Sequence, residues 1–381
     1  MKEQIPINMK RIMNIWIIGL FLLLNLGGCS SKKAEKNIVN FTRDDFKEQV
    51  ILSNPELITL DDSTLNDPAA FYLMHDSIII VQNQPHCDHL IELFSLDSRK
   101  IVTQFASKGN GPGEFNTCYC YVPNSNDSVF YLKDDGAYSY ITVDLNSTLH
   151  SKKLVVKNRF QYNPELHYYV EICPIDDSHY IGYHMWYLND STYNNNVTAL
   201  KKYTVNENIE ESNTMEAAMS KYKYFVASVN DVHLFMNQTR NAFWMADAHK
   251  DKIEIYDESL NLVKTLIGPD NYNFKYSLPP SNSPIPFVGF EGDKSYKTYS
   301  SFTITDKHVY IIYQGINGVV DDTENLKPVE VFKFDWDGNL LCNYKLDRFV
   351  YTLSVDSKEE YLYCSTFKSP KDIREFVRYK L

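Results

Sequence analysis

Asp76-Ser77-Ile78-Ile79-Ile80-Val81 is the stretch on which the fold turns: two polar turn residues, then a compact apolar strand. The pattern returns at Asp127-Ser128 before Val129-Phe130-Tyr131-Leu132, and at Asp177-Ser178 before His179-Tyr180-Ile181-Gly182. It recurs at Arg240-Asn241 before Ala242-Phe243-Trp244-Met245, and at Asp306-Lys307 before His308-Val309-Tyr310-Ile311. A last copy is Lys358-Glu359 before Glu360-Tyr361-Leu362-Tyr363. The second turn residues, Ser77, Ser128, Ser178, Asn241, Lys307 and Glu359, mark six units of about 50 residues, the third and fourth lengthened by insertions.

Each unit goes on into a second hairpin. Leu93-Phe94-Ser95-Leu96 turns through Asp97-Ser98-Arg99-Lys100 and leaves through Ile101 to Phe105. Tyr140 to Val143 turns at Asp144-Leu145-Asn146-Ser147, and Leu200 to Val205 turns at Asn206-Glu207-Asn208. Ile253 to Tyr256 turns at Asp257-Glu258-Ser259, and Val329 to Phe334 at Asp335-Trp336-Asp337-Gly338. Asp, Asn and Gly supply the backbone angles and side-chain bonds that tight turns need. Two hairpins make a four-stranded antiparallel blade, and six blades repeated radially make a six-bladed β-propeller of the all-β class. The sixth unit lacks a strand after Glu375 to Leu381, while Glu56-Leu57-Ile58-Thr59-Leu60 is a spare strand ahead of the first. Donating it to the last blade closes the ring and hides two edges. A linear stack of hairpins or a pair of sandwiches leaves that imbalance unexplained.

Composition agrees. Tyr (28) and Phe (21) are abundant, which favours strands over helices, and no stretch after residue 37 sustains a helical apolar period. The chain carries a net charge of −11, and losing Lys2, Lys10, Arg11 and Glu3 with a leader makes it more acidic still. Nucleic acid is therefore not an expected partner. Six cysteines remain besides Cys29, namely Cys87, Cys118, Cys120, Cys173, Cys342 and Cys364. An oxidising compartment permits pairing, but six in so long a chain is not a disulfide scaffold and connectivity is not readable from spacing; Cys118 and Cys120 point the same way on a strand, which disfavours a bond between them.

The N-terminus carries the compartment signal. Lys10-Arg11 precedes an apolar run from Ile12 to Leu26, shorter than the roughly 20 residues of a comfortable membrane span. It has the anatomy of a secretory signal. Leu26-Gly27-Gly28-Cys29 resembles the lipobox of bacterial lipoproteins. That resemblance implies a signal peptide over 1–28, acylation of Cys29, a lipidated tether over 29–40 and a propeller over 41–381. Ser30 in place of Asp implies sorting to the outer membrane, and the basic tether Ser31-Lys32-Lys33-Ala34-Glu35-Lys36 implies a periplasm-facing position. The membrane is thus a partner through the anchor.

Between the first two units, Gly109-Asn110-Gly111-Pro112-Gly113-Glu114-Phe115 looks like the G-x-G-P-x-E-F junction of TolB-like six-bladed propeller lipoproteins and, more loosely, of NHL-type repeats. The motif occurs clearly once. With the lipobox and the six units, the resemblance covers nearly the whole mature chain. It implies architecture and location more than activity, with protein or peptide contacts as in TolB. A phosphate-cradling reading fails because Pro112 interrupts the loop and Glu114 repels an anion. Gly109, Gly111, Pro112, Glu114 and Phe115 are read as a tight structural crossing.

Chemistry is sparse. His86-Cys87-Asp88-His89 is the most ligand-rich cluster, and His86 and His89 are the metal-ligand candidates. No second pair lies at finger-like spacing, so an exposed polar loop, with Cys87 in a disulfide, is the competing reading. No G-x-S-x-G elbow or HExxH follows the signal. Aromatic insertions say more: Trp186, Tyr187 and Tyr193 in the third unit, and Phe274 and Tyr276 in the long excursion between the fourth and fifth. Loops after second strands and loops between blades emerge on one propeller face, so these residues are the candidate binding set. The function expected is non-catalytic, an envelope scaffold binding a protein, peptide or glycan without a cofactor. The alternative is a metal-dependent, lactonase-like hydrolase with carboxylates and amides on a central ion.

Overall fold

The computed structural model describes residues 37–58, 68–109, 111, 113–122, 124, 127–134, 136–162, 172–175, 178–184, 187–188, 199–204, 224–225, 232–237, 242–272, 276–277, 289–290, 296–317, 326–367 and 374–381. The lipobox with Cys29, and Pro112, Trp186, Tyr193 and Phe274, lie outside the described residues. No helix among the described residues is long and apolar enough to cross a membrane.

Six sheets form the ring of a β-propeller. Blade one is Pro68–Met74, Ile78–Asn83, His89–Ser95 and Lys100–Ser107; blade two is Tyr119–Tyr121, Val129–Asp134, Ser139–Asp144 and Val156–Gln161. Blade three shows Ile172–Pro174, His179–His184 and Ala199–Thr204 among the described residues. Blade four runs Val232–Asn237, Ala242–Asp247, Lys252–Tyr256 and Leu262–Ile267; blade five runs Tyr296–Ile304, His308–Asn317, Glu330–Asp335 and Leu340–Leu346. Blade six is Val350–Val355, Tyr361–Phe367 and Arg374–Lys380, completed on its outer edge by Glu56–Ile58. In that closing pair Ile58 faces Phe376, Leu57 faces Val377 and Glu56 faces Arg378, antiparallel. Arg378 adds a forked bond to the Glu56 carboxylate at 2.9 and 3.1 Å. The spare strand goes to the last blade, as its position in the sequence implies.

The repeated turn residues take the place their chemistry dictates. Asp257 Oδ1 accepts from the backbone of Ser259 and Asn261, and Asn261 Nδ2 returns to Asp257 Oδ2 at 3.0 Å. Asp335 and Asn339 repeat this arrangement in blade five. The fourth residue of each turn, Leu260 or Gly338, has positive φ. One turn differs. Asp144 does not start a tight turn but caps a helix, Leu145–Ser151, its Oδ1 accepting from Ser147 N at 2.7 Å. Leu145 and Thr148 are buried beneath it, and Lys152 ends it in the left-handed region. Seven residues are too few for a helical period to stand out in a sequence of strands.

Apolar residues fill the seams between blades. Leu93, Phe105, Phe115, Phe130 and Val143 join blades one and two. Tyr140, Phe160, Tyr180 and Tyr203 stack in series across blades two and three, with centroids 5.1–5.5 Å apart. Trp244, Ile255, Val309, Phe332 and Trp336 join blades four and five, and Tyr310, Val331, Leu353 and Leu362 join five and six. The pairing that spacing leaves open is answered here: all six described cysteines are buried and free. Burial pushes the thiols of Cys118, Cys120 and Cys364 up, so they act as small core residues.

The N-terminal residues add something the strand count does not call for. Asn37–Asn40, inside the segment read as tether, lies on the outer edge of blade four as a fifth strand. Glu48–Leu52 lies on the outer edge of blade five, parallel to Leu340–Leu346, with Glu48 opposite Cys342 and Leu52 opposite Leu346.

Candidate functional site

In a propeller the first strand of each blade lines the axis. Here those strands are Pro68–Met74, Tyr119–Tyr121, Ile172–Pro174, Val232–Asn237, Tyr296–Ile304 and Val350–Val355, and none carries an Asp or a Glu. Aromatic groups occupy the hub instead. Tyr121 of blade two reaches Phe302 of blade five, on the opposite side of the ring, at 5.7 Å between centroids. Its hydroxyl donates to the Leu234 carbonyl of blade four at 2.7 Å. Phe235 stacks on Phe302 at 4.1 Å, and His233 approaches the same ring at 6.4 Å. An isolated bridge between Asn124 and Ile304 ties blades two and five below this contact. The axis is therefore plugged by side chains.

Above the plug the strand alternation places Tyr119 on the same side as Tyr121. Tyr119 is 51% exposed, a large aromatic surface left open at the loop-rich mouth. Ser300, two residues before Phe302, has a buried hydroxyl with no protein partner. At the opposite end of the hub, Asp127 is pushed up to about 6 by burial and by Asp306 across the axis, against the pull of His75.

Two short ladders are described within the insertions. Tyr187–Leu188 pairs antiparallel with Tyr224–Phe225, so the third-blade insertion is anchored by the connection to blade four. Tyr276–Ser277 pairs with Gly289–Phe290 inside the excursion between blades four and five. That excursion has a braced neck. Tyr272 and Tyr296 stack at 4.3 Å and 12°, and the Asp251 carboxylate accepts from the backbone of Asp270 and Tyr272 at 2.8 and 3.0 Å. The Tyr313 hydroxyl sits between Asp251 and Asp270, 2.8 Å from each. Of the aromatic candidates, Tyr187 and Tyr276 are thus placed by backbone, whereas Trp186, Tyr193 and Phe274 lie outside the described residues.

The other sequence candidates behave as local structure. His89 opens its strand with Nδ1 3.3 Å from Ser107 Oγ and its carbonyl accepting from Asn83 at 2.9 Å. Cys87 is buried and free, not a disulfide partner in an exposed loop. Among the described residues, His86 and His89 included, no three His, Cys, Asp or Glu side chains gather as metal ligands. At the junction, Gly109 N donates to Phe115 O and Phe115 N to Ser107 O, and Gly111 N donates to Glu114 Oε2 at 2.7 Å. The Glu114 carboxylate fills the loop from within. Gly109 has φ of +153°, and a Cβ there would run into that carboxylate. Phe115 is buried in the seam between blades one and two.

Tyr119 and the hub escape a reading by motif because Cys118-Tyr119-Cys120-Tyr121 draws attention to its sulfurs. The usable signal is alternation: Cys120 turns into the seam while the flanking tyrosines turn out of it.

Comparison with known proteins bears on the fold. A Bacteroides vulgatus protein of the DUF4221 family matches with a TM-score of 0.56 and 10% identity, over 86% of this chain and 96% of that one. A Bacteroides fragilis protein matches with a TM-score of 0.45 and 10% identity, over 90% and 99%. No curated protein matches the sequence. The six-blade ring, closed through Glu56–Ile58, agrees with a sequence match spanning residues 45–358: the chain belongs to the TolB-like 6-blade propeller-like family.

Proposed function

We propose that this propeller is a non-catalytic binding module, held at the outer membrane through a lipid on Cys29, that takes a protein, peptide or glycan over its loop-rich face. The filling of the hub by Tyr121, Phe235 and Phe302, with Tyr119 exposed beside it, carries the reading. A hydrolase with a central ion needs anionic ligands where this hub presents Tyr121, Phe235 and Phe302. Open aromatic area at a braced mouth instead suits recognition, since rigid rings bury much surface at little entropic cost. The DUF4221-family likeness adds fold and no activity.

One experiment with two arms tests this. Tyr119→Ala combined with Trp186→Ala and Tyr187→Ala should weaken capture of the native partner from envelope extracts by about tenfold or more, the scale of one lost hot spot. Thermal stability should hold. In the second arm Cys29→Ser should move the protein from the membrane fraction to the soluble one. Undiminished capture by the triple variant counts against the binding face. Persistent membrane association of Cys29→Ser counts against the anchor, and a tightly held stoichiometric metal ion in chelator-free protein would restore the hydrolase reading.

A further inference from the structure

The outer edges of the blades are not alike. Blade two ends in Val156–Gln161, which leaves Lys157 and Arg159 exposed along its rim, a charged edge that discourages pairing. Blades four and five end in Leu262–Ile267 and Leu340–Leu346, strands with a single lysine each, Lys264 and Lys345, that would offer open ladders to another chain. Those are the two edges that Asn37–Asn40 and Glu48–Leu52 cover.

Between its two strands the cover is clamped by side chains. Phe41 and Phe46 are buried at the seam of blades four and five, with Phe46 4.9 Å from Phe332. Between them Arg43 donates to both oxygens of Asp270 at 2.6 and 3.0 Å and to Glu330 at 2.7 Å, with its guanidinium over the Tyr313 ring. Beyond this clamp Glu48–Leu52 lies on the rim in parallel pairing, with Leu52 buried in the seam, Val50 packed beside it and Ile51 78% exposed, and Asn54 N then donates to Asp347 Oδ2 at 2.9 Å. Parallel ladders are the weaker kind per residue.

We propose that residues 37–52 are an exchangeable strap, and that the edge of blade five accepts the same strand from a second copy of the chain. The occupant follows from the register already present: Glu48–Leu52 fits this edge over five residue pairs, and every copy carries that sequence. A strap of 16 residues reaches roughly 50 Å when extended, enough to cross to a neighbouring rim. Exchange in both directions gives a closed two-fold dimer.

Arg43→Ala in the full chain tests this, with Arg43→Lys as the milder variant that keeps the charge without the fork. Trypsin should cut after Lys47 about tenfold faster in Arg43→Ala than in the parent, with Arg43→Lys between them. Light scattering should then show a concentration-dependent dimer that disperses with an excess of synthetic peptide 41–54. Val50→Pro added to Arg43→Ala should remain monomeric yet bind the fluorescent peptide, because its edge is intact and its strand is not. Unchanged cleavage after Lys47 would overturn the clamp. A released strap without dimer or peptide binding would overturn the accepting edge.

Discussion

Phe376→Ala should destabilise the protein by about 3–5 kcal/mol, the cost of removing a fully buried aromatic ring. Phe376 is 1% exposed and stands where the last blade meets the first, 5.4 Å from Phe71 and 5.8 Å from Tyr363. Leu73, Ile79, Val81 and Phe94 complete that seam. For a chain of this length the loss corresponds to a fall of about 5 °C in melting temperature. What marks the seam as the closure is where the effect spreads. Hydrogen exchange should rise in the strands of blades one and six together and stay unchanged in blade four. Leu57→Ala, on the closing strand but half exposed, should cost less than about 0.5 kcal/mol. A uniform rise in exchange around the ring would mean that closure is not a separable step.

The closing seam also has a polar half. Thr352 donates to the Phe71 carbonyl at 3.0 Å, while Ser354 and Ser365 accept from the backbone of Leu73 and Phe71 at 3.1 and 3.3 Å. All three side chains are buried. Small hydroxyls let blades six and one approach closely, a role that branched apolar residues of the same size would leave as unmet backbone groups.

The contrast between this seam and the rest of the molecule shows what a sequence can carry. Ser77, Ser128, Ser178, Lys307 and Glu359 mark turns because turn chemistry is local, and the structure opens a second strand just after each. The spare strand at Glu56 was legible because a ring must balance its strands. The strap was not. Asn37–Asn40 and Glu48–Leu52 pair with partners hundreds of residues away, and their own sequences carry neither alternation nor a turn signal that names those partners. The Arg43 clamp is illegible for the same reason, since Asp270 and Glu330 become its neighbours only when blades four and five stand side by side. The insertions were visible by their aromatic content, but the hub was not, because Tyr119 and Tyr121 gain meaning only when the blade-two strand is known to be axial.

Glu359→Ala should cost about 3–5 kcal/mol, comparable with the loss at Phe376 but for an electrostatic reason. Glu359 closes the first turn of blade six with positive φ, and its carboxylate is a shared acceptor. Thr305 donates to it at 2.7 Å, Tyr310 at 2.7 Å and Lys333 at 3.0 Å, and His308 Nδ1 lies 2.6 Å away. Trp336 is drawn in through the Thr305 carbonyl, so the cluster ties blade six to blade five. Removing the carboxylate leaves Lys333 half-stranded over the Tyr310 ring, with three further donors unmet. The pH dependence separates this account from simple packing. Burial alone would raise the Glu359 carboxyl, but the bonds from Thr305, Tyr310 and Lys333 and the Lys333 charge hold it down to about 2, below its ordinary 4.5. A depressed carboxyl contributes stability that is fully present above pH 4.5 and is lost as pH falls towards 2, about 3 kcal/mol in all. Burial also lowers His308 against the pull of Glu359, so its neutral form is favoured and acid works against it as well, beginning below pH 6.5. Glu359→Gln keeps the shape and removes the carboxyl titration. Its unfolding free energy should therefore be lower than the parent's at pH 7, and the gap should narrow progressively between pH 4.5 and 2. A gap that stays constant over that range would assign the acid sensitivity to other carboxylates and leave Glu359 with a purely steric part in the seam.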